Sequence, residues 1–171
     1  MIKKTVEKAL NEQVTREIYS SMLYLSMAGY FTAKNLTGFA NWMRIQAKEE
    51  MDHGMKMFDF VLDRGGETKI NTIDAPPADW DSPLAVIEAT YIHEQAVTAH
   101  INDLAELAIS EKDYATNNLM QWFVDEQVEE EASVDEIVNK MKMMEGFPGG
   151  LIMMDAELKQ RVYVPPATTK E

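Results

Sequence analysis

The chain has 171 residues, with 16 Lys plus Arg against 29 Asp plus Glu, a formal net charge of −13 at pH 7. That length suits one domain with a full core, an apolar share of 46% excludes a disordered acidic polymer, and the charge excludes a surface built to displace counterions from DNA or RNA. With no cysteine there are no disulfides, zinc–thiolate sites, iron–sulfur clusters or Cys nucleophiles.

Four long helical patterns follow one another, then a short one. The first is expected over Lys3 to Lys34. It opens with charged residues (Lys3, Lys4, Glu7, Lys8) rather than an apolar h-region, so no signal peptide is read. Its uncharged stretch from Ile18 to Ala33 holds three Ser, a Thr and a Gly, and is shorter than the ~20 apolar residues of a membrane span. A soluble, cytoplasmic protein with no membrane partner is expected. Asn35-Leu36 ends this helix, and Thr37 is expected to cap the next through its hydroxyl. The second helix runs to about Arg64, where Gly65-Gly66 stops it. The third starts at Ser82-Pro83, a cap followed by proline at the first helical position, and ends near Ile109. Asp113 caps a fourth, reaching about Met144. After Gly146-Phe147-Pro148-Gly149-Gly150 comes a short amphipathic segment, Leu151 to Val162, closed by Pro165-Pro166. There is no strand signal and no internal repeat.

Loop lengths give a topology. The first and third connections are short, which makes those helix pairs antiparallel neighbours. The middle one, Gly65 to Asp81, has no helical period and carries Pro76-Pro77. Fully extended it spans ~55 Å, more than the ~42 Å of a helix of about 28 residues. It is therefore expected to cross the full length of a four-helix bundle.

Laid out at the helical period, each long helix puts a carboxylate inside its apolar stripe. On the first, Val6, Leu10, Ser21, Tyr24 and Ala28 surround Glu17. On the second, Phe39, Met43, Met57 and Val61 centre on Glu50, with His53 one turn on. On the third, Ile87, Tyr91, Ile101 and Ala105 centre on Glu94. On the fourth, Leu119, Phe123, Val134, Ile137 and Met141 accompany Glu130, with Gln127 and Glu126 beside it. An ionised carboxylate in a core is costly unless paired or bound to metal, and Lys and Arg are absent from these stripes. Protonation or pairing across the bundle accounts for one such residue more readily than for four at matching depth. The other account is a metal. Oxygen donors with one imidazole suit Fe, Mn or Zn, and Glu50-x-x-His53 sets a carboxylate and an imidazole one turn apart.

These residues resemble the ferritins, a family of four-helix bundles with inward-facing Glu and Glu-x-x-His ligands. The matching stretches are Asn11-Glu12-Gln13, Glu17 with Tyr24-Leu25-Ser26-Met27, Gly38-Phe39-Ala40-Asn41-Trp42, Glu49-Glu50 with His53, and Glu126-Gln127-Val128-Glu129-Glu130-Glu131. The likeness covers about residues 1–163, leaving 164–171 as a C-terminal tail. It implies an all-α, ferritin-like four-helix bundle with a long crossover between the second and third helices and a short fifth helix. The fourth helix carries Gln127-x-x-Glu130, where oxygenases, rubrerythrins and bacterioferritins have a second Glu-x-x-His, so the pattern is similar to the non-haem prokaryotic branch.

The resemblance implies a function: oxidation of Fe(II) to Fe(III), a ferroxidase activity, and storage of ferric oxide inside a 24-subunit cage. It implies one iron held by Glu17, Glu50 and His53 with Gln127 close by, and a second held by Glu94 and Glu130 with Glu50 bridging. Glu49, Glu126 and Glu129 match a third iron site that shares Glu130. Tyr24, two turns from Glu17, either assists the oxygen chemistry or is a core tyrosine, and Trp122 has the same two readings. O2 or H2O2 is the oxidant. Met51 follows Glu50 as the haem-ligating Met of bacterioferritins does, but with Gln127-x-x-Glu130 beside it haem is not expected. Met51 is read instead as packing at a subunit contact. His93 and His100 are read as ordinary surface or interface histidines. Glu49, Asp52, Lys56, Asp59 and Asp63 form a charged stripe, either a solvated face or an inner cage lining. The apolar side of the terminal segment has no partner within the chain, which favours a homo-oligomer. A rubrerythrin-like oxidase or peroxidase without mineral storage, and a haem bacterioferritin, are the alternatives.

Overall fold

A computed structural model describes residues 1–147 and 149–165. Among them are five helices, α1 (Lys4–Ala33), α2 (Thr37–Asp63), α3 (Pro83–Ser110), α4 (Tyr114–Met143) and α5 (Gly150–Leu158), and no strand. Pro148 and residues 166–171, with most of the expected tail and Pro166, lie outside the described residues. Among the described residues no helix is long and apolar enough to cross a membrane.

Contacts gather the chain into two compact units. The first comprises Met1–Ile2, Leu10–Asp79 and the described residues from Leu151 to Pro165. The second comprises Lys3–Ala9 and Trp80–Gly150.

In the first unit α1 and α2 are an antiparallel pair. The register is read from three contacts: a Cβ on Gly54 would lie 3.3 Å from Cβ of Glu17, Ser21 Oγ donates to Ala47 O at 2.6 Å, and Phe31 stacks on Phe39 with ring centroids 4.9 Å apart. Gly54 thus lets the helices approach at the depth where both carry their acidic residues. Asn35, at φ +60°, makes the tight turn between them. The expected crossover then climbs α1. Asn11 Nδ2 donates to Glu67 O at 2.9 Å, Lys69 N to Asn11 Oδ1 at 3.0 Å, Asn71 N to Thr15 Oγ1 at 3.0 Å, and Ser26 Oγ to Pro77 O at 2.6 Å. Side chains of α1 therefore satisfy the polar backbone of a segment that has no ladder of its own.

Two sequence expectations need correction here. Thr37 does not cap α2: Leu36 holds the cap position and no side-chain bond is made there. The free N–H groups of Gly38 and Phe39 donate instead to Asp155 Oδ1 at 2.7 and 3.1 Å. A carboxylate at a helix N-terminus meets both the orphan donors and the positive end of the dipole. The fifth helix also stops short of Val162. It ends at Leu158, because the carbonyls beyond it turn towards α2, where Asn41 Nδ2 donates to Arg161 O at 3.0 Å.

In the second unit α3 and α4 are joined by a short turn with Lys112 at φ +55°. Ser82 and Asp113 cap them as expected, accepting from Ala85 N and Thr116 N, each at 3.1 Å. Lys3, just before α1, and Thr5 in its first turn bond the Glu111 carboxylate of the α3–α4 turn, each at 3.0 Å.

Candidate metal centre

The apolar stripes carry their acids inward as read. Glu17, Glu50 and Glu94 are 1%, 1% and 0% exposed, His53 6% and Glu130 8%. Their apolar neighbours Val6, Leu10, Ala28, Phe39, Met43, Met57, Val61, Ile87, Ile101, Phe123, Val134 and Ile137 are buried as well. Tyr91 and Leu119 are half-buried.

In the first unit, three of these residues converge. Glu17, Glu50 and His53 each offer a ligand atom, and all three atoms lie within 4.8 Å of one another. His53 Nδ1 stands 3.9 Å from Glu50 Oε2, too far for a hydrogen bond and close enough for both to hold one ion. Burial lowers the His53 pKa to about 4; Asp52 opposes the shift and Lys56 adds to it. The imidazole is therefore neutral at pH 7 and presents a lone pair with no proton to displace. Two carboxylates and one neutral imidazole suit a hard or borderline divalent cation such as Fe(II).

Sequence reasoning passed over the group that aims Glu17. The Gln13 amide, fully buried one turn earlier, donates to Glu17 Oε1 at 2.8 Å, and Arg16 Nη1 in turn donates to Gln13 Oε1 at 3.1 Å. The i,i+4 spacing of Gln13 and Glu17 was the available signal. Such outer hydrogen bonds fix a ligand's direction. Tyr24 is fully buried on the same face of α1, two turns further on.

In the second unit, Gln127 and Glu94 meet. Gln127 Nε2 donates to Glu94 Oε2 at 3.2 Å, and also reaches Glu94 O at 3.4 Å and Thr98 Oγ1 at 3.2 Å. Thr98 donates to Glu131 Oε1 at 2.5 Å, a support that no spacing within one helix reveals. Glu130 is buried one turn beyond Gln127 on α4.

The other acids singled out are wetter. Glu49 and Glu126 are half-buried and Glu129 is exposed. Glu49 pairs with Arg161 Nη2 at 2.7 Å, a partner 112 residues away that no local pattern announces. Met51 is 39% exposed. Trp122 is half-buried and packs edge-on against Phe123, centroids 4.8 Å apart. His93 is half-buried, and burial followed by the nearby His100 lowers its pKa to about 4.

The two shifted histidines set a pH dependence. Each binds a proton near pH 6.5 when unfolded and only near pH 4 when native. The unfolded chain takes up more protons on these two groups in that window, so their contribution to stability is full above pH 6.5 and is lost as pH drops towards 4. The apo-protein should be less stable at pH 5 than at pH 7 by about 2 kcal/mol for each histidine. Denaturation midpoints should show it, and His53→Gln should remove the His53 share of the difference. An equal pH difference in His53→Gln would contradict the assignment of that share to His53.

Comparison with known proteins adds to this geometry. A ferritin-like domain model matches residues 7–144. The bacterial non-heme ferritin of Bacteroides fragilis is 42% identical over 161 residues, 94% of this chain and 100% of that protein. The bacterial non-heme ferritin of Staphylococcus aureus is 36% identical over 163 residues, 95% of this chain and 98% of that one. Among solved structures, the open pore ferritin of the hyperthermophilic archaeon Archaeoglobus fulgidus superposes with a TM-score of 0.93 at 51% identity, covering 95% of this chain and 100% of that chain. The all-α class expected from the sequence, a four-helix bundle with a short fifth helix, is the ferritin fold of that structure.

Proposed function

The chain belongs to the ferritin family, and on that premise we propose that it oxidises Fe(II) to Fe(III) and stores the product as ferric oxide mineral. The observation that carries this reading is the convergence of buried Glu17, Glu50 and neutral His53. One Fe(II) is taken by these three, with Gln127 nearby. A second is taken by Glu94 and Glu130, with Glu50 shared. Each iron gives up one electron, and the pair reduces O2 to H2O2, or H2O2 to water, with the protons drawn from solvent. Carboxylate donors favour the ferric state. Tyr24, buried on the same face of α1, either hydrogen-bonds a ligand or supplies a further electron, or is a core tyrosine.

Glu49, Glu126 and Glu129 serve a third, weaker site through which iron moves onward, and their greater exposure suits a hydrated ion. The store is a homo-oligomeric cage of 24 subunits. Apolar side chains left exposed on the single chain support association: Ile152 and Met153 on α5 are 71% and 59% exposed, and Leu25 on α1 is 55% exposed. A chain without cysteine that handles Fe(II) suits the reducing cytoplasm, where we place it.

Rapid mixing of Fe(II) with air-saturated protein tests the site assignment. We expect a fast phase that saturates at about two irons per chain, the number that an iron pair requires. Glu129→Ala should keep that phase and change the Fe:O2 ratio or slow the recovery of the fast phase after a first load. An unchanged profile would contradict the third site.

A further inference from the structure

The segment after α5 lies along α2 and is held there by side chains. Arg161 Nη1 donates to Oε1 of the fully buried Gln46, and its Nη2 donates to Glu49 Oε2 at 2.7 Å. Its guanidinium carbon sits 4.8 Å from the centre of the Trp42 ring, and Asn41 holds its carbonyl at 3.0 Å. Two residues on, the Tyr163 hydroxyl donates to Asp52 Oδ2, and Lys48 Nζ lies 5.1 Å from the Tyr163 ring centre. The Arg161 charge is thus fixed against Glu49 rather than waving in solvent. A guanidinium is permanently charged, and its planar fork matches this pair of acceptors.

We propose that Arg161 is a positioning residue that restrains Glu49 as a cation ligand, keeping the iron held there weakly bound so that it passes to the store. The inference rests on the reading of Glu49 as a ligand of the third iron site. The geometry supplies two reasons for the restraint. One carboxylate oxygen of Glu49 is already occupied by a donor. A second cation on the same carboxylate also meets the positive charge of the guanidinium within a few ångströms, where like charges repel strongly in a partly buried setting. A metal on this carboxylate must bind against that repulsion, or displace Arg161 from a grip that Trp42 and Gln46 reinforce.

The test is titration calorimetry of the apo-protein with Zn(II), which binds without oxidation. In Arg161→Gln the weakest class of Zn(II) sites should tighten about tenfold, the effect of removing about 1.4 kcal/mol of repulsion, while the tight class stays unchanged. Arg161→Lys restores the charge without the fork and should return that class close to wild-type affinity. Thermal midpoints of both variants confirm that they are folded. An unchanged or weakened class in Arg161→Gln overturns the proposal, as does Arg161→Lys behaving like Arg161→Gln, which would mean that packing rather than charge is at work. Glu49→Gln separates the underlying reading: if the weak class survives it, Glu49 is not the ligand and the third-site assignment itself fails.

Discussion

Glu50→Ala should slow the fast oxidation of Fe(II) by about a hundredfold or more. Glu50 is 1% exposed and contributes to the only three-residue cluster of side chains able to hold a metal ion among the described residues. In the proposed centre it also touches both irons, so its loss removes a ligand from each. Changing a group one shell further out costs roughly ten- to a hundredfold at metal sites, and a shared ligand should cost at least the upper figure. The variant should still fold. Taking one carboxylate out of a core that holds Glu17 beside it relieves repulsion, which offsets part of the packing lost on truncation. Glu50→Gln keeps the volume and removes the charge, so it separates ligand loss from cavity effects. Stopped-flow absorbance at the ferric bands reads both variants. Oxidation at the wild-type rate in either would remove Glu50 from the reaction.

Gly38→Ala should cost several kcal/mol of stability and detach α5 from α2. A Cβ on Gly38 would lie 1.7 Å from the backbone carbonyl oxygen of Asp155 and 2.6 Å from its carbon. Backbone cannot be pushed aside by a rotamer change, so one helix has to move. Movement breaks the Asp155 bonds to Gly38 and Phe39. It also exposes Met154 and Leu158, now 1% and 7% exposed. Loss of a helix cap costs about 1 kcal/mol, and two buried apolar side chains add about 1.5–3 kcal/mol each when fully exposed. The thermal midpoint should fall by about 10 °C or more at ~2–4 °C per kcal/mol for a chain of this size. Asp155→Ala should lose only the cap and fall by less. Equal midpoints for Gly38→Ala and wild type would show that α5 is not seated on α2 as described.

Much of this architecture was legible in the chain. Periodicity placed four long helices because each carries a stripe of apolar residues over seven or more turns. Ser82-Pro83, Asp113 and Gly65 marked their ends because these residue types bond or bend the backbone locally. The buried carboxylates stood out for the same reason: Glu17, Glu50 and Glu94 violate a pattern that is otherwise kept. What was not legible depends on contacts between segments far apart in sequence. Asp155 caps α2 from 117 residues away, and Arg161 finds Glu49 from 112. Neither has a local signature. Thr37, a good capping residue on local grounds, lost the role because α5 supplies a charged acceptor instead. Gln13 falls between these cases, since its spacing from Glu17 is visible but nothing in a sequence ranks it above any other buried amide.

Storage of iron by this chain is tested by loading it. Purified apo-protein is given a large excess of Fe(II) in air, free iron is removed, and bound iron per chain is measured together with particle mass. Tens to hundreds of irons per chain in a large shell are expected. Two or three irons per chain in a small oligomer would contradict storage, leaving a di-iron redox enzyme in place of a store.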